Sequence, residues 1–129
     1  MTENELKQRT KDFALRVMKL VGALPETSLG RPIGNQLIRS GTAIGANYRA
    51  ACRGRSKAEF VAKLGVVVEE ADESCYWLEL IIDGQLLNKR RVEPLLLEAN
   101  ELTAIMVASR KSAMSSSPIQ NQKSKIKNA

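Results

Sequence analysis

The sequence predicts an all-α fold, an antiparallel up-down four-helix bundle. Three observations carry that expectation. Four stretches repeat apolar residues at helical spacing. Short Pro-, Gly- or polar-rich connections join them, which favours antiparallel neighbours. No stretch shows the strict alternation of a half-buried strand. The bundle is expected to occupy residues 1–114 as one domain, followed by a disordered basic tail, 115–129.

The first helix runs from Asn4 to Leu24, with Leu6, Phe13, Val17, Leu20 and Leu24 on one face. Pro25 ends it, because the residue before a proline is driven out of the α region. Residues 25–32 read as a loop. The second helix, Ile33 to Arg53, turns Ile33, Leu37, Ile44, Tyr48 and Ala51 to the core. Gly34, Gly41 and Gly45 each cost about 1 kcal/mol against Ala in a helix. With Ser40, Ala43, Ala46 and Ala50 they make this helix small on nearly every side. It is therefore expected to lie between neighbours. Gly54 is read as its C′ residue.

The third helix opens on a capping box, Ser56 and Glu59. Its core face is Phe60, Leu64, Val67, Ala71, Cys75, Leu78 and Ile82, with no breaker before Gly84. It spans about 30 residues, ~45 Å. Val66, Tyr76, Trp77 and Leu80 fall on its far side with Glu69 and Glu73. The fourth helix, Val92 to Met114, buries Val92, Leu95, Leu96, Ala99, Leu102, Met106 and Ala113, with Pro94 in its first turn.

Composition narrows the function. There is no histidine, which removes the commonest general base and any Ser-His or Cys-His mechanism. Cys52 and Cys75 lack metal-ligand spacing and read as reduced core thiols. No catalytic residue, metal site or cofactor is expected, and Glu69, Glu70, Asp72 and Glu73 do not form a di-metal pattern. The polar N-terminus and the lack of a long apolar run point to a cytoplasmic protein with no membrane partner. The formal charge is +6 and unevenly spread. Residues 31–60 carry six basic and one acidic side chain, whereas residues 61–93 carry four basic and seven acidic. Such segregation suits a polyanion partner, or mutual neutralisation on folding.

Arg31, Arg39, Arg49 and Arg53 fall within roughly an 80° arc opposite the core face of the second helix. Arg55 and Lys57 follow in the turn. A guanidinium fork suits phosphate; it equally suits a carboxylate of the next helix or of a neighbouring subunit. For Arg39 and Arg49 the expectation is pairing with the Glu69–Glu73 cluster. For Arg53, Arg55, Lys57 and Arg31 it is a free basic surface that contacts RNA or DNA phosphates without base readout. Asn47, at the edge of the core face, is expected to bond a backbone carbonyl or Gln36. Tyr76, Trp77 and Leu80 read as an interface anchor, the alternative being packing under a loop.

The words QLIRSGTAIGANYRAACRGRSKAEF and EEADESCYWLEL carry a resemblance. With Gln36, Arg39, Ile44, Asn47, Arg55-Ser56 and Glu59-Phe60 in place, the chain resembles the small proteins encoded in intervening sequences of bacterial 23S ribosomal RNA genes. The likeness covers about residues 8–112. Many members have an acidic residue where this chain has Ala50, so no role of that carboxylate carries over. The resemblance implies an up-down bundle assembled as a homopentameric ring. Relatives in fold include accessory proteins of diversity-generating retroelements, which bind nucleic acid and a reverse transcriptase. Two functions follow as expectations: a non-enzymatic ring that binds nucleic acid, or a structural module that binds a protein such as a reverse transcriptase.

Overall fold

The computed structural model describes residues 1–116. They form four helices: α1 Glu3–Gly22, α2 Gly30–Cys52, α3 Lys57–Asp83 and α4 Lys89–Ser115. No strand occurs among the described residues. α4 thus extends into the start of the expected tail; the remainder of that tail, residues 117–129, lies outside the described residues.

Local chemistry sets each boundary. Thr2 and Glu5 form a reciprocal capping box at α1, a T-x-x-E signature legible in the sequence. α2 begins three residues earlier than expected. Thr27 Oγ1 accepts the Gly30 N–H at 3.0 Å, and Pro32 enters the first turn, where no intrahelical donor is needed. Gly30 is required there, since a Cβ would lie 2.1 Å from the Pro25 carbonyl oxygen. At α3 the expected capping box is only half made. Ser56 Oγ accepts from Glu59 N–H at 3.1 Å, but the Glu59 carboxylate takes the N–H of Arg55 at 2.7 Å.

Gly54 follows the Arg53 C-cap of α2 as the expected C′ residue, though not in a left-handed conformation; Gln85, in the α3–α4 turn, has φ 57°. Two further expectations are corrected. α4 starts at Lys89, capped by Asn88, so Pro94 sits beyond the first turn and leaves the Arg90 carbonyl without its helical donor. In α3 the residue fully buried near the C-terminus is Ile81, and Ile82 is half-buried.

Each helix packs on its neighbour in sequence, and α1 and α4 close the ring of contacts. Direction follows from cross-helix pairs. Gly34 lies on Val21 and Leu24, Gly41 on Val17 and Gly45 on Thr10, so α2 runs against α1. Cys75 meets Asn100 and Arg110 reaches the Val61 carbonyl, so α4 runs against α3. Phe13, Leu37, Ile44, Leu64, Leu78, Ile81, Leu102 and Met106 are fully buried between the four helices. Arg9 of α1 closes the seam to α4 with a fork onto Glu98, at 2.7 and 2.8 Å, and a further contact with Glu101. These hydrogen bonds, that to Glu98 foremost, raise the Arg9 pKa.

The small residues of α2 now have an explanation inside one chain. Gly34, Gly41 and Gly45 admit α1, and Ser40 meets Ser74 of α3, their hydroxyls 2.9 Å apart in a buried pair. Each hydroxyl also reaches a carbonyl of its own helix, Leu37 or Glu70. The neighbours on either side of α2 are α1 and α3, so its small faces do not by themselves call for a second subunit.

Candidate nucleic-acid interface

The arginine arc of α2 is divided by its two flanks. Arg39 stands at the α3 edge. Its guanidinium meets Glu70 at 3.3 Å and also binds Glu73. Glu73 in turn accepts the Trp77 indole N–H at 2.9 Å. Those two bonds, Trp77 first, hold the Glu73 carboxyl below its usual range, while Glu73 chiefly raises Arg39. Glu69 takes no part. One residue along a helix is a rotation of about 100°, which turns Glu70 toward α2 and Glu69 toward solvent on the α4 side.

Arg49 lies at the other edge of the arc, beside α1. It is exposed and makes no ion pair among the described residues, so within one chain it does not reach the carboxylates of α3. The reason is geometric: about 80° of helix rotation separates it from Arg39, and the helix it faces carries Lys7 and Lys11 there. Asn47 donates to the Ala43 carbonyl of its own helix at 2.9 Å.

The proposed basic set is not one cluster. Arg53 and Arg55 are exposed at the α2–α3 turn without ion pairs among the described residues. Lys57 is exposed too, but its ammonium bonds the Ser116 carbonyl at the end of α4. Arg31 is at the far end of α2, about 33 Å from Arg53 at about 1.5 Å per residue. There it reaches the Glu26 carbonyl at 3.4 Å. Besides Arg16, Lys19 and Arg91 at a separate cleft, the surface cations that gather are Lys7 and Lys11 of α1 with Arg49 and Arg53 of α2. They line an open groove of about 650 Å³ together with Asn4, Gln8 and Thr42.

On α3, Tyr76 is 54% exposed and meets Trp77 edge-on, with ring centroids 5.2 Å apart. Trp77 and Leu80 are half-buried, and Trp77 packs against the core. An exposed anchor is therefore supplied by Tyr76, and much less by the other two. Burial raises the thiol pKa of Cys52 and, more deeply placed, Cys75. The described residues hold no group of three or more potential metal ligands. No helix among them is long and apolar enough to cross a membrane.

The family model of the 23S rRNA-intervening sequence protein matches residues 2–108. The chain belongs to this family. A solved structure from Bacteroides thetaiotaomicron VPI-5482 is similar at 32% identity and a TM-score of 0.79, covering 86% of this chain and 99% of that one. That protein is described as one of unknown function from the S23 ribosomal protein family. No match is found among curated proteins.

Three positions of the site carry no signal in the sequence pattern: Lys7, Lys11 and Arg9. The lysines are four apart and therefore share a face of α1. Their being opposite Arg49 depends on the register of α1 against α2. Arg9 looks in sequence like any surface arginine of an amphipathic helix; Glu98 and Glu101 reach it only across the closed bundle.

Proposed function

We propose that this chain is a non-enzymatic nucleic-acid-binding bundle that reads charge more than sequence and works as a homopentameric ring. One observation carries the reading. Lys11, Arg49, Arg53 and Arg55 are all exposed toward one end of the bundle, and none has a carboxylate partner among the described residues. On a chain of net charge +6, such a collection sets up a field that attracts phosphates. A ring would present it several times over and add avidity without any new contact. The exposed Tyr76, beside Trp77, supports self-contact through the outer face of α3.

Gel retardation with structured RNA and with duplex DNA tests the binding. Both should be retained at low salt and released steeply as salt rises, with little sequence preference. Absence of retention for either at low ionic strength overturns the reading. Light scattering tests the ring: the mass should be that of a pentamer and fall in Tyr76→Glu with helicity unchanged. A concentration-independent monomer removes the ring.

The second reading, a protein-interaction module with a partner such as a reverse transcriptase, is favoured by the Arg39, Glu70, Glu73 and Trp77 cluster, where charge is already used within the fold. It predicts that the protein binds its partner in salt that abolishes nucleic-acid retention.

A further inference from the structure

We infer that the groove between α1 and α2 is the track for a single nucleic-acid strand, with Lys7, Lys11, Arg49 and Arg53 as its phosphate contacts. The inference rests on the proposed nucleic-acid binding and assigns it to a place other than the α2–α3 turn.

The floor is made by close helix packing. Gly45 lies against Thr10, where a Cβ would stand 3.1 Å from Thr10 Oγ1, and both residues are buried. The rims carry Lys7 and Lys11 on one side and Arg49 and Arg53 on the other, and the lining includes no carboxylate. Because α1 and α2 run in opposite directions with Thr10 on Gly45, Lys7 stands near the level of Arg49. Arg53 lies about a turn to one side of that level and Lys11 about a turn to the other. A cation therefore recurs about every four residues along the groove, ~6 Å at 1.5 Å per residue. That is close to the separation of successive phosphates on one strand. Lys7 shares its charge with Glu3 at 3.1 Å; Lys11, Arg49 and Arg53 make no ion pair among the described residues. Asn4, Gln8 and Thr42 place amides and a hydroxyl between the cations. Gln8 donates to Asp12 and Thr42 to the Ile38 carbonyl, so these side chains are held in place rather than loose. No aromatic ring lines the groove. Stacking on bases is therefore absent there, and phosphate contact without base preference is what remains.

The test is fluorescence anisotropy of a labelled single-stranded RNA of mixed sequence, titrated across a salt series. Lys11→Gln with Arg49→Gln should weaken binding at least tenfold at low salt. It should also flatten the slope of log K against log salt by about 1.4, at about 0.7 for each lost contact to a single strand. Ala46→Lys, which adds a cation at an exposed groove position, should tighten binding and steepen the slope. Lys89→Gln, at the start of α4 and outside the groove, should change neither. Parent-like binding by the groove double variant, with loss in Arg55→Gln, overturns the track while leaving the proposed function standing. Failure of the parent to bind the single strand, with structured RNA and duplex DNA still retained, overturns the track alone; failure with all three overturns both. A fall in light-scattering mass in the groove variant would make the groove a subunit contact and also overturn the track. Competition by an acidic peptide as effective as by the RNA would do the same, by making the groove a general anion surface.

Discussion

The two flanks of α2 carry the same residue type to opposite ends. On the α3 side, Arg39 meets Glu70 and Glu73, and a buried Ser40–Ser74 pair lies just beneath. On the α1 side, Arg49 rises over a seam packed tightly at Gly41 and Gly45 and faces lysines. Neither arginine differs in intrinsic chemistry. What differs is the partner helix, acidic on one side and basic on the other. Whether a helical arginine belongs to the fold or to a ligand is thus decided across the groove, by the residues that face it.

The largest expected effect breaks the α1 flank. A Cβ at Gly41 would stand 2.9 and 3.0 Å from the Val17 methyls, and Val17 is fully buried and stiff at χ1. Gly41→Leu should cost about 3 kcal/mol through overpacking, even after the gain in helix propensity. Urea unfolding checks it: an unchanged midpoint would mean that the α1–α2 seam is loose and that the contrast between the flanks fails.

The next effect tests the α3 flank. Ser74→Ala should cost about 1 kcal/mol, because Ser40 keeps only its 3.4 Å contact with the Leu37 carbonyl. The Ser40→Ala, Ser74→Ala double variant should lose less than the two single losses added together, since no orphaned hydroxyl remains. Strict additivity in this double-mutant cycle would show that the hydroxyls do not act as a pair.

Comparing Arg39→Ala with Arg49→Ala sharpens the contrast. The first should lower thermal stability slightly, with the loss shrinking as salt rises. The second should leave stability unchanged and weaken RNA binding. Equal melting temperatures for both variants, at low and high salt, would erase the distinction.

The smallest effect is in pH. Glu73 is held below its usual range by Trp77 and Arg39. A lowered carboxylate pKa adds stability that is present above the unfolded-state value and lost as pH falls through the folded-state value. The gap in melting temperature between parent and Arg39→Ala should therefore be full near neutrality and close on acidification below the ordinary carboxylate range. A gap that persists in acid would assign the effect to packing of the Arg39 stem.

The helices, their order and most of the core were legible in the chain, because a 3.6-residue apolar period and the cap residues are local properties. Leu37, Ile44, Leu64 and Leu78 are buried as their spacing requires. Helix ends were less legible, as at Pro32 and Pro94, since a proline can begin a helix or sit inside one once tertiary packing compensates. The candidate site was legible only in part. Periodicity places Arg39, Arg49 and Arg53 on one arc, but it contains no information about which neighbour each edge of that arc will meet. Register and neighbour choice are long-range: Gly45 on Thr10 sets Lys7 and Lys11 opposite Arg49, and Ser40 on Ser74 sets Glu70 and Glu73 beside Arg39. The tertiary structure alone decided these pairings, because the charges that neutralise or reinforce one another come from helices distant in sequence, brought together by burial of their apolar faces.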